Sequence, residues 1–300
     1  MGAGYYFKLL GRSFSKLTGL NLVFFLCNFP VFFVLYGISG NLNPTVNAPT
    51  SPLYAQLYGI MQYEQSPISA ALYGIFGIST DFFVMSLASR ILIYSGALLL
   101  VFTLGLSSVG MFYILRNTVR SEYVSVWHDF FGAIKKNLRQ GIIVGIIDAL
   151  LIAFLAFDFY SYRQNADIFL MNVFYYAIIL FCIIYYVMRI YIYTILVTFD
   201  LPIRKIFKNA FLMAVLGMKR NIVALLSSIL ILFLSFYIFI LLPTVGSLLI
   251  FIFTVALIGF TCSYCVYPVI KKYMIDPYYE EHPEERPEEP NVEPVFKDRG

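Results

Sequence analysis

Six stretches of the chain run for seventeen to twenty-nine residues, and none of them carries more than one charge. They cover residues 18–39, 91–115, 141–157, 169–197, 222–242 and 247–266. Each is close to the ~20 apolar residues that a helix needs to cross a bilayer. A water-soluble fold of 300 residues has no core large enough for so much apolar surface. Only 13% of the residues are charged, about half the share usual in soluble domains. Lipid solvates the side chains but leaves every backbone polar group to be satisfied internally, so the spans must be helices or a closed barrel. The runs are continuous and do not alternate with period two, which selects helices. The expected fold is all-α, a polytopic transmembrane bundle of about six spans in a cell membrane.

Basic residues give the expected orientation. Lys8, Arg12 and Lys16 precede the first span. Arg116, Arg120, Lys135, Lys136 and Arg139 lie between the second and third, and Arg204, Lys205, Lys208, Lys219 and Arg220 between the fourth and fifth. Lys271 and Lys272 follow the sixth, and the opposite side has only Arg90 and Arg163. Fifteen against two puts the basic segments, and with them both termini, on the cytoplasmic side. Because topology explains these charges, nucleic acid is not an expected partner.

Four regimes follow along the chain. Residues 1–17 mix Phe7, Leu9, Leu10 and Phe14 with the three basic residues, as an amphipathic interfacial helix does. Residues 18–266 hold the bundle, with a break expected at the Pro243-Thr244-Val245-Gly246 turn. Within it, residues 40–90 form an outside or interfacial insertion, because 68–78 are apolar yet too few to span. Tyr54, Tyr58, Tyr63 and Tyr73 in that insertion fit either an aromatic interface belt or a surface that stacks on sugar rings. Residues 267–300 are acidic and rich in proline, a composition that does not order itself. The tail is expected to be solvated, or to fold back on the basic loops.

The candidate functional residues are few. Ionisable groups inside spans are costly and are functional candidates by default. Asp148 lies in the third span and Arg189 in the fourth, at similar depths. Three readings stand open for them: a buried ion pair, two separate structural roles, or a transport relay. Asn21 and Asn28 share a helical face and suit hydrogen bonds between helices. Cys262-x-x-Cys265 has the spacing of a redox or metal pair but sits within a span, where packing is the expected role. His128 and His282 are the only histidines, and neither has a metal partner at helical spacing. No phosphate-binding loop occurs. No catalytic residue, metal or cofactor is therefore assigned.

Two basic segments have a related form, one from Asp129 (DFFGAIKKNLRQGIIVG) and one from Asp200 (DLPIRKIFKNAFLMAV). Each reads as an amphipathic helix lying under the membrane. The expected docking residues are Phe130, Phe131, Lys135, Lys136 and Asn137 in the first, and Ile206, Phe207, Lys208 and Asn209 in the second.

Four stretches resemble the YesL family of bacterial membrane proteins, a family of unknown function. Leu20 through Pro30 is similar to its Leu-Asn-Leu…Leu-Pro opening, and Gly105 through Leu115 to its Ile-Gly-Pro-Ala-Thr segment. Trp127 through Gln140 and Phe199 through Gly217 are similar to its two Lys-Asn loops. The chain departs from the pattern at Leu106-Ser107-Ser108 and in the insertion between the first two motifs. The resemblance implies a role tied to sugar uptake, because members are commonly encoded beside carbohydrate ABC importers. It brings no catalytic residues. The expectation is a non-enzymatic subunit or accessory protein of such an importer, in contact with membrane lipid and other membrane subunits. The alternative is a free-standing small-solute transporter or channel, against which the spans offer few polar residues to line a path. A membrane enzyme comes third.

Overall fold

A computed structural model describes residues 2–42, 45–49, 79–83, 85–165 and 167–285. Tyr54, Tyr58, Tyr63 and Tyr73, the short apolar piece at 68–78 and the tail beyond residue 285 lie outside the described residues. The architecture is helical. In chain order the main elements are α1 (Ala3–Cys27), α2 (Pro30–Ile38), α3 (Leu87–Val119), α4 (Val126–Lys136) and α5 (Leu138–Gln164). They continue with α6 (Phe169–Leu196), α7 (Ile203–Leu216), α8 (Met218–Leu241), α9 (Pro243–Leu249), α10 (Val255–Ile270) and α11 (Asp276–Glu281). A π-helical turn, Ile250–Thr254, joins α9 to α10, and a second, Lys271–Ile275, joins α10 to α11.

Five helical runs are long and apolar enough to cross a membrane: α3, α5, α6, α8 and the continuous run Pro243–Glu281. The pair α1 and α2 makes a sixth if it counts as one interrupted span. The interruption falls at Asn28 and Phe29, just before Pro30, which has no N–H to continue the helical ladder.

Two boundaries differ from those read in the sequence. Residues 1–17 are not a separate helix, because α1 continues from Ala3 to Cys27 without a break. No proline intervenes between Ala3 and Cys27, so the amphipathic start and the apolar continuation share one hydrogen-bonded ladder. Pro243 opens α9 rather than a loop, since proline fits the first helical position where an N–H has no partner anyway. Gly246 then lies against the Phe239 backbone, where a Cβ has no room.

The chain divides into two compact units, Asn28–Thr103 and the remainder, Met1–Cys27 with Leu104–Gly300. In the smaller unit, Gly37 of α2 meets Ile93 of α3, and Gly96 of α3 meets Pro30 and Val34 of α2. Small residues let the two backbones approach closely. The same unit holds a two-stranded antiparallel ladder, β1 (Thr45–Pro49) with β2 (Ser79–Phe83), in the register Thr45 to Phe83.

The larger unit carries two packed clusters. One gathers Leu17 and Leu20 of α1, Ile114 and Leu115 of α3, Phe130 of α4 and Phe260 of α10. The other surrounds the last turns of α6, where Tyr191 through Leu196 pack on Phe112, Ile206, Met213 and Val266. In contrast Phe154 and Phe157 of α5, and Leu230 and Phe233 of α8, remain exposed. Exposed apolar side chains on this scale require an apolar solvent, and lipid supplies it.

Candidate functional site

The deepest charged cluster is built from α3, α5 and α6. Asp148 is 4% exposed on α5. Arg189 of α6 reaches it through Nε, at 3.0 Å from Oδ1 and 2.7 Å from Oδ2. Two tyrosines of α6, four residues before Arg189 and four after, complete the shell. Tyr185 donates its hydroxyl to Oδ1 at 2.7 Å, and Tyr193 donates to Oδ2 at 2.7 Å. The spacing 185, 189, 193 puts all three donors on one helical face. Arg189 lies over the Tyr193 ring at 5.4 Å, and that ring stacks on Phe112 of α3 at 5.8 Å between centroids. Asp148 and Arg189 thus meet, and each carboxylate oxygen has two donors. This is the arrangement of a locked structural charge: a buried carboxylate compensated by an opposite charge and by hydrogen bonds.

Helix α6 also ties the bundle together elsewhere. Tyr186 donates to Ser228 Oγ of α8 at 2.8 Å, and Ser228 lies 3.2 Å from Cys262 Sγ of α10. Tyr191 donates to Asn221 Oδ1 at 2.8 Å, and Asn221 Nδ2 donates to the Ala214 carbonyl at 2.8 Å. Cys262 and Cys265 are free thiols, and no group of metal-ligating side chains occurs among the described residues.

Asn21 serves a role that its spacing alone did not specify. The π-helical turn at Ile250–Thr254 shifts the backbone ladder and leaves groups without helical partners. Asn21 Nδ2 donates to the Ile250 carbonyl at 3.0 Å and also to that of Phe251, while Oδ1 accepts from Ala256 N at 2.7 Å.

Arg116, one of the basic residues between the second and third spans, is 8% exposed inside α3. Its Nη1 donates to the Val197 carbonyl at 2.6 Å, and its Nε donates to Asn117 Oδ1 at 2.8 Å. Val197 caps the C-terminus of α6, where unpaired carbonyls concentrate negative potential and favour a cation.

The two basic segments come together at one end of the larger unit. Gln140 Nε2 donates to the Leu201 carbonyl at 3.2 Å. A cavity of about 360 Å³ lies between them, with Lys136, Asn137 and Arg139 on one side and Thr198 and Asp200 on the other. The docking residues divide by exposure. Phe130 and Ile206 are 0% exposed and belong to the two packed clusters, which corrects their assignment as contact residues. Each sits on the face of its amphipathic helix that turns toward the bundle, so they are core, not surface. Phe207 is half-buried against the same core as Ile206, and Asn137 and Asn209 are also half-buried. Lys135, Lys136 and Lys208 are exposed. Phe131 is 45% exposed and Trp127 57%, and their rings stack at 6.2 Å. Asp129 accepts from the Ser125 N–H at 2.8 Å and closes the first turn of α4. The His128 ring nitrogen beside Asp129, and then that N–H, hold its carboxyl below the usual carboxylate range.

Helices α3 and α4 with most of α5 form the stretch that is similar to a described family. Residues 82–159 match the family described as "Protein of unknown function, DUF624". The match covers about a quarter of the chain and includes Asp148, Arg116 and the whole of α4. No curated protein and no solved structure matches the chain.

Proposed function

We propose that this chain is a non-enzymatic membrane subunit or accessory protein that works beside a bacterial carbohydrate importer of the ABC type, in the plasma membrane. The observation that carries the reading is the stacked Trp127–Phe131 pair. It is exposed on α4, beside Lys135, while the opposite face of the same helix is core. Aromatic anchors flanked by charge are the usual centre of a protein contact. The main charged cluster argues the same way: Asp148 is fully engaged by Arg189, Tyr185 and Tyr193, so the charge serves packing rather than passage. The class of partner comes from the resemblance to the YesL family. Two of its four stretches, Gly105 through Leu115 and Trp127 through Gln140, fall within the segment matched to the family of unknown function.

The basic end faces the cytoplasm in this reading, where the nucleotide-hydrolysing subunits of an importer reside. The test is co-purification from native membranes with wild type, Phe131→Ala and Phe207→Ala, each checked for normal insertion. Importer subunits should accompany wild type in fixed stoichiometry, and Phe131→Ala should reduce them at least about tenfold, as loss of a central anchor does. Phe207, half-buried, should have a smaller effect on partners. Equal retention by all three, or no partner with wild type, would defeat the reading. Solute flux through liposomes holding the pure chain would instead support a free-standing transporter.

A further inference from the structure

The larger unit has a groove of about 690 Å³ between α1, α8 and α10 that no residue of the described chain fills. Its floor is one face of α8, the positions 219, 220, 223, 227, 230 and 231, which recur at helical spacing. From Lys219 to Ile231 the rise is about 18 Å at ~1.5 Å per residue. The hydrocarbon depth of one leaflet is about 15 Å, half of a ~30 Å core. The chemistry along the groove is divided in the same way as a phospholipid. Lys219 and Arg220 stand at the end nearest the start of α8, and Val223, Leu230 and Ile231 line the groove farther along the helix. Tyr264 borders the groove from α10, its hydroxyl held by the Gly2 carbonyl at 2.9 Å. Neither Lys219 nor Arg220 forms a salt bridge among the described residues.

We propose that this groove is a binding site for one anionic phospholipid, its headgroup phosphate on Lys219 and Arg220 and one acyl chain along α8 toward Ile231. Two cations at the surface and an apolar trough of leaflet depth complement such a lipid at both ends. A soluble anion satisfies only the mouth, and a zwitterionic lipid only the trough. Basic residues between helices, near the membrane surface, are favourable to anionic headgroups by roughly the same increment for each charge.

The experiment is native mass spectrometry of the full chain in mild detergent, titrated with phosphatidylglycerol or with phosphatidylethanolamine of the same acyl chains. Wild type should retain one phosphatidylglycerol with at least about tenfold preference, as two favourable charges imply. Lys219→Gln combined with Arg220→Gln should reduce phosphatidylglycerol to the level of phosphatidylethanolamine. Ser227→Trp fills the middle of the trough with both cations kept, and should weaken both lipids. Inorganic phosphate at matched concentration should displace neither. Elution volume and thermal midpoint check that the variants are folded, and the paired glutamine variant changes only side chains at the mouth. The proposal is overturned by equal affinity for the two lipids in wild type, or by a preference that survives the loss of both cations. It also fails if Ser227→Trp leaves binding unchanged, or if phosphate displaces the lipid.

Discussion

At the scale of residues, Asp148 is held by partners that cannot be removed singly without cost. Truncating one member of a buried, hydrogen-bonded ion pair leaves an uncompensated charge and costs ~3–5 kcal/mol. Arg189 lies within a span, where the surrounding lipid does not screen the charge left behind. Asp148→Ala should therefore cost ~3–5 kcal/mol. The double variant with Arg189→Ala should cost at least ~1 kcal/mol less than the sum of the singles, because no lone charge remains. Tyr193→Phe removes one donor and should cost ~1–2 kcal/mol. Denaturant unfolding in mixed micelles measures all four, and strict additivity would show that the pair contributes nothing as a pair. Spacing brought Asp148 and Arg189 to comparable depths, so their meeting was legible as one of three readings. Tyr185 and Tyr193 were not singled out, although their fourfold spacing about Arg189 marks one face. Arg116 does more than flank a span. A basic residue near a span end looks like a topological charge, and its target, the carbonyl of Val197, appears only when α3 meets the end of α6.

At the scale of elements, the spans themselves were legible because lipid imposes a length and a composition on them. Their ends were less so. Pro243 reads in the sequence as a turn, yet it opens a helix, as Pro30 does, at the first position where a missing N–H has no cost. Amphipathicity identified α4 and α7 but not which face turns inward, so Phe130 and Ile206 were placed on the wrong side. The π-helical turn before α10 has no sequence signature, and the Asn21 that satisfies it is 229 residues distant from Ile250. That dependence is testable. Asn21→Leu removes three hydrogen bonds to backbone groups, one of them buried, and should cost ~2–4 kcal/mol, given ~1–3 kcal/mol for each group left unsatisfied and some relaxation of the turn. Thr18→Ala, on the same helix but half-buried and bonded through its hydroxyl only to the Phe14 carbonyl, should stay within ~0.5 kcal/mol. If the two variants unfold alike, Asn21 does not hold the turn.

At the scale of the molecule, the account rests on a bundle whose basic segments share one face of the membrane. Contacts within the larger unit bring those segments together: Tyr5 with Ser121 at 2.9 Å, Lys16 over the Tyr123 ring at 5.8 Å, and Gln140 with Leu201 at 3.2 Å. From the charge asymmetry we propose that this side is cytoplasmic. Single cysteines in a background lacking Cys27, Cys182, Cys262 and Cys265, probed in intact cells with a membrane-impermeant thiol reagent, read the sidedness directly. Cysteines replacing Pro44 and Asn165 should react from outside, while those replacing Lys135, Lys208 and Pro290 should react only after permeabilisation. Reaction from outside at Lys135 or Lys208 would contradict the orientation and remove the docking face from the cytoplasm, and protection at Pro44 would show that α1 and α2 do not make a crossing.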